Sequence, residues 1–175
     1  MIKLVSERAL THFANMVSVH SRSLRHAWIV SPWITTTESF YALNVTIGVI
    51  QTSRAQLSVV TRPPDKPNHR AAVVALEALA QTEIFYLDQL HAKLYLMECD
   101  GLRAALIGSA NFTEEGDTEL VEVVADVRSS RETDDAARFT RELFDFAREL
   151  TVHADSECIK NLGPGWWRSR ATQNP

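Results

Sequence analysis

Three short apolar runs, His26–Val30, Leu57–Thr61 and Glu83–Leu87, are separated by segments with helical spacing, and two further runs then follow almost back to back. This change of rhythm limits the fold more than any other feature. Runs that alternate with helices build parallel crossover units, whereas runs divided by a tight turn build an antiparallel hairpin. The later runs, Ala92–Met97 and Arg103–Gly108, flank Cys99-Asp100-Gly101, and Asp-Gly is a strong hairpin-turn signal. The expected fold class is α/β, a mixed β-sheet flanked by helices on both faces.

The remaining segments fill in this frame. Val5, Ala9, Leu10, Phe13 and Val17 recur at helical spacing and predict a helix over 5–19. Thr35-x-x-Glu38 has the form of a capping box and opens a helix over roughly 36–52. Three prolines make 62–67 a loop, and a third helix is expected over 69–81. Beyond the hairpin a strand is expected over 120–127. Ser129-x-x-Glu132 then opens an amphipathic helix to about Leu150, with Ala136, Phe139, Leu143, Phe146 and Leu150 as its buried stripe. One domain over 1–160 and a tail over 161–175 result.

Composition excludes several classes. Apolar residues make up 45% and charged residues 23%, an ordinary soluble balance. The longest apolar stretch, Tyr41–Ile50, is interrupted by Asn44, Thr46 and Gly48 and falls short of the ~20 residues of a membrane span. The opening MIKLVSERAL has no apolar leader core. Cys99 and Cys158 stand in no metal-ligand spacing, and a reducing cytoplasm is expected, without a disulfide between them. Residues 1–110 carry ten Lys/Arg against eight Asp/Glu, and residues 111–175 carry eight against fourteen. A net charge of −4 is unlike a strong nonspecific nucleic-acid binder, so any such contact must be local.

Chemistry concentrates in His91-Ala-Lys93 and Gly108-Ser109-Ala-Asn111. Residues two apart on a strand point to one face, so His91 and Lys93 project together, and so do Ser109 and Asn111 next door in the hairpin. An imidazole, an ammonium, a hydroxyl and a carboxamide can converge on one point, and that set suits a phosphate. Lysine supplies a point charge, while serine and asparagine offer neutral donors to nonbridging oxygens. Histidine can attack phosphorus and leave again near neutral pH. Gly108 permits close backbone approach. Arg62, Lys66, His69 and Arg70 form either a solvated loop or a basic rim that guides a polyanion. His12, His20, His26, His69 and His153 read as structural or surface residues.

HAKLYLMECDGLRAALIGSANFT resembles the HxK…GSxN signature of the phospholipase D superfamily. The resemblance covers about residues 25–127. It takes in strands that end in Ser31-Pro32-Trp33 and Thr61-Arg62, and a downstream Glu122 where the family keeps a glutamate. Glu98 stands where the family usually has Asp, and Leu120 where it usually has Asn.

The resemblance implies a metal-independent phosphodiesterase that needs no cofactor. His91 would be the nucleophile, with Lys93, Ser109, Asn111 and Glu122 as the rest of the catalytic set and Trp33, Arg62 and Gly108 at the substrate. The mechanism uses two motif copies, and this chain has one, so a homodimer with paired His91 residues is implied. An endonuclease acting on DNA or RNA is the leading reading. A phospholipid hydrolase or transferase is the alternative, and a non-catalytic nucleic-acid-binding or dimerisation subunit is a third. No lipid-facing surface is legible, which favours the nuclease. The acidic balance suggests a partner such as a helicase or a specificity subunit. The tail's Trp166-Trp167, followed by Arg168 and Arg170, either docks on protein or stacks on bases.

Overall fold

A computed structural model describes residues 1–36, 39–118, 122–130, 135–153 and 157–158. The chain runs β1 (Ile2–Val5), α1 (Ala9–Val19), β2 (Leu24–Val30), α2 (Tyr41–Ser53), β3 (Gln56–Thr61), α3 (Pro67–Glu77) and β4 (Thr82–Tyr86). It continues through β5 (Leu94–Cys99), β6 (Leu102–Gly108), α4 (Glu114–Thr118), β7 (Val124–Ser129), α5 (Asp135–Val152) and β8 (Glu157–Cys158). The strands form one eight-stranded sheet in the order β1-β7-β6-β5-β2-β3-β4-β8. β2, β3 and β4 are parallel, and β5, β6, β7 and β1 continue the sheet antiparallel. The expected mixed sheet is therefore present.

Alternation along the strands divides the core into two layers. Ala27, Ile29, Leu57, Val59, Tyr95, Met97, Ala104 and Leu106 pack with α1, α2 and α3. Their neighbours Trp28, Val30, Val60, Leu94, Leu96 and Ala105 pack with Leu143, Phe144 and Ala147 of α5. Helices thus cover both faces, as the runs of apolar residues in central strands require. β5 and β6 pair from Leu94↔Ile107 to Cys99↔Leu102, so the turn is Asp100-Gly101 alone. Gly101 sits at φ 72, a left-handed position that suits glycine.

The second helix starts at Tyr41, with Phe40 as its N-cap, and not at the Thr35 capping box. Four further expectations need correction. The first helix does not begin at residue 5. Ile2–Val5 instead pairs with β7 from Ile2↔Val127 to Val5↔Val124, and Arg8 at φ 48 turns the chain into α1. The strand expected over 120–127 is β7 at 124–129. Leu120 lies outside the described residues, as do Glu38, Glu132 and the Trp166-Trp167 tail. The buried stripe of α5 is rotated, with Ala136, Ala137, Thr140, Leu143, Phe144 and Ala147 inward. Phe139 and Phe146 remain 39% and 42% exposed, because Phe144 takes the seat against the sheet beneath the Arg103 guanidinium. Finally, His91 and Lys93 are not on a strand. They precede β5, whose pairing with β2 ends at Val30↔Leu94 because β2 stops before Pro32.

Cys99 is buried and free. It lies on β5, four strand spacings or about 19 Å from β8 and Cys158, far beyond disulfide reach. Among the described residues no helix is long and apolar enough to cross a membrane.

Candidate active site

Register places the chemistry-bearing residues along one edge of the sheet. Val30 pairs with Val60 and Leu94, Leu94 with Ile107, and Gly108 with Val124. The ends of β2, β3 and β6 and the starts of β5 and β7 therefore meet there. They bring Trp33, Arg62, His91, Lys93, Ser109, Asn111 and Glu122 to the same end of the molecule.

Two loops are stitched together at this end. The Ser31 hydroxyl donates to the Trp33 carbonyl at 2.7 Å and accepts from the Phe112 N–H at 2.9 Å. A bridge between Ile34 and Phe112 extends the contact. From below, the buried Tyr95 hydroxyl donates to the Ala110 carbonyl at 2.5 Å. Burial pushes the Tyr95 phenol well above its ordinary value, so it remains a donor. These bonds fix the Ser109–Asn111 turn. Their signal in the sequence is slight: Ser31 ends a strand, and Tyr95 falls two residues after Lys93.

Three of the candidate catalytic side chains, His91, Lys93 and Ser109, line a small cavity of about 350 Å³ together with Leu94, Ile107 and Phe146 among others. His91 is exposed and Lys93 half-buried. The Lys93 ammonium donates to the His91 carbonyl at 3.1 Å and lies 3.4 Å from His91 Nδ1. Cation and imidazole thus share one side of the cavity without a strand to align them. Across it, the Ser109 hydroxyl donates to the Glu122 carboxylate and accepts from the Val123 N–H at 3.3 Å. Asn111 Oδ1 is buried without a hydrogen-bond partner.

The other expected residues take different places. A Cβ on Gly108 would stand 2.2 Å from the Val123 carbonyl oxygen and 2.8 Å from Val124 Cα, so β7 itself demands glycine there. Trp33, Arg62, Asn111 and Glu122 do not line the cavity. Arg62 lies with its guanidinium carbon 4.9 Å from the centre of the Trp33 ring, and its Nε donates to the Leu90 carbonyl at 2.8 Å. Glu98 lies toward the opposite end of the sheet, where it accepts two bonds from Arg103 at 2.9 and 2.7 Å. The basic rim is reduced: His69 is buried and bonded to Thr61, and Arg70 donates to the Pro64 carbonyl at 3.3 Å. Phe146, expected in the core, is the wall residue that sequence reading missed. Among the described residues no three His, Cys, Asp or Glu side chains gather as a metal ion would need.

Comparison with known proteins agrees with this geometry at the level of fold. No family model matches the sequence, and neither does any curated protein. Solved structures do. Nuc from Salmonella typhimurium, a phospholipase D family member, superposes with a TM-score of 0.63 at 10% identity, over 90% of this chain and 97% of Nuc. NucT from Helicobacter pylori gives 0.61 at 12% identity, with the same coverage. Polyphosphate kinase from Porphyromonas gingivalis gives 0.57 at 12% identity, over 98% of this chain but 28% of the kinase. The fold is phospholipase D-like, which is the fold that the resemblance of the HxK…GSxN segment implies.

Proposed function

We propose that this chain is a phosphodiesterase, an endonuclease of DNA or RNA that works through a phosphohistidine on His91 and shares its site across a homodimer. The observation that carries the reading is the cavity that His91, Lys93 and Ser109 line together at one end of a phospholipase D-like sheet.

In the first step neutral His91 attacks phosphorus. A P–N bond forms, the P–O ester bond breaks, and the leaving oxygen takes a proton from a second imidazole. That imidazole is His91 of a twofold-related copy, because the cavity holds one histidine per chain. In the second step the now neutral partner takes a proton from water, hydroxide adds to phosphorus, and the P–N bond breaks. Lys93 neutralises charge that builds on the nonbridging oxygens. Ser109 has one proton and shares it with Glu122, so it turns to the phosphate only by leaving that carboxylate. Asn111 supplies a further donor, Trp33 and Arg62 border the substrate, and the exposed Phe146 and Val123 beside the site suit an interface with the second copy.

The test is direct. Purified protein is incubated in EDTA with labelled single- and double-stranded DNA, RNA and a phosphatidylcholine analogue. Cleavage of a nucleic acid in chelator is expected. A strict need for added Mg²⁺, or turnover of the lipid alone, contradicts the proposal.

A further inference from the structure

Arg62 differs from two other half-buried arginines, Arg103 and Arg128. Arg103 pairs with Glu98 at 2.7 Å and Arg128 with Asp126 at 2.7 Å. Arg62 faces no carboxylate among the described residues. Its Nε is committed to the Leu90 carbonyl at 2.8 Å, and its guanidinium carbon rests 4.9 Å from the Trp33 ring centre. Neither Nη atom bonds a described residue. The planar fork is thus held on two sides while its outer donors stay unused. The Nη donors reach the surface, so a guanidinium braced in this way stands preorganised to receive an anion.

Its position says which anion. Leu90 is the residue before His91, so the guanidinium is anchored one residue, about 3.8 Å of backbone, from the nucleophile. Arg62 does not line the cavity shared by His91, Lys93 and Ser109, so a phosphate on Arg62 would be a second one beside the phosphate His91 attacks. We infer that Arg62, braced by Trp33 and the Leu90 carbonyl, anchors the phosphate next to the scissile one, so that the site takes a polynucleotide strand in preference to a lone phosphodiester. This rests on the phosphodiesterase reading and sharpens it: a phospholipid carries a single diester and offers Arg62 nothing to hold. Guanidinium forks suit such bidentate contact with phosphate oxygens.

Salt dependence isolates the contact. Binding of a fluorescein-labelled decathymidylate is followed by anisotropy against salt in a His91→Ala background, alone and with Arg62→Gln or Arg62→Lys. One lost phosphate contact lowers the slope of log K against log salt by about 0.7 on a single strand. Arg62→Gln is expected to show that fall, with affinity roughly tenfold weaker, and Arg62→Lys is expected to keep most of the slope. With His91 intact, turnover of bis(p-nitrophenyl) phosphate should suffer several-fold less from Arg62→Gln than cleavage of the oligonucleotide does. An unchanged slope, or equal losses on both substrates, overturns the inference and leaves Arg62 as a brace for the Leu90–His91 segment. Vesicles of phosphatidylglycerol that bind with the same Arg62 dependence overturn the choice of a strand. If wild-type protein cleaves neither substrate, the phosphodiesterase reading fails, while the salt slope still decides the role of Arg62.

Discussion

His69 is 1% exposed and carries its own argument about protons. Thr61 Oγ1 has a single hydrogen and lies 3.3 Å from the Pro32 carbonyl and 3.0 Å from His69 Nε2. Since the carbonyl can only accept, the hydroxyl donates there and His69 Nε2–H donates to the hydroxyl. Nδ1 is then a buried lone pair without a partner. Burial lowers the His69 pKa from 6.5 to about 4, and nearby Asp65 offsets this only in part. The unfolded chain therefore takes a proton that the folded chain refuses. Stability is complete above about pH 6.5 and falls as pH drops toward 4. Between pH 7 and 5 the loss from this group should be about 2 kcal/mol. Urea melts at both pH values test it. His69→Gln should lower stability at pH 7 yet show a smaller drop on going to pH 5. His26, whose pKa burial also lowers, remains in both proteins and cancels. An undiminished drop in the variant contradicts the assignment. None of this was legible in the sequence, where His69 is a basic residue after a proline loop. Its burial comes from the meeting of the β2 and β3 ends, which only the register specifies. His91, Lys93 and Ser109 were legible because their chemistry and spacing are local.

At the scale of elements, α1 shows what local sequence cannot carry. Its N-cap, Arg8, has no side-chain cap bond. The cap comes instead from Asp117 of α4, which accepts from the Leu10 and Thr11 N–H groups at 2.8 and 3.0 Å and from the Thr11 hydroxyl at 2.5 Å. A cap 107 residues away in sequence leaves no capping box to read, so periodicity alone placed the helix start four residues early. Asp117→Ala strands buried donors and should cost about 2 kcal/mol in denaturant unfolding. A change under about 0.5 kcal/mol would show that α1 does not depend on this cap. The central strands and the hairpin were legible, because short apolar runs and Asp-Gly are short-range signals. β1 was not: its Ile2-Lys3-Leu4 alternation is too short to tell a strand from the start of a helix, and on the exposed sheet edge Ile2 and Leu4 stay 65% and 69% exposed. The α5 stripe was misread by one helical face. Phe139 and Phe146 fit the periodicity as well as Phe144 does, and contact with the sheet decides between them.

For the whole molecule, the account requires two copies. Size exclusion with light scattering should give a mass near twice 19.7 kDa. Phe146→Asp, which puts a charge beside the cavity on the proposed interface, should shift the protein toward monomer and lower turnover with it. A fully active monomer contradicts the shared site. Loss of His91 removes nucleophile and acid at once, so His91→Ala should lose at least about 10²–10⁴-fold in turnover. The most direct measurement traps the intermediate: a reaction on an oligonucleotide is quenched in alkali, digested and mapped by mass spectrometry. The account predicts an acid-labile phosphoramidate that links the oligonucleotide fragment to the peptide containing His91, absent from His91→Ala. An adduct on another residue, or wild-type turnover by His91→Ala, contradicts it.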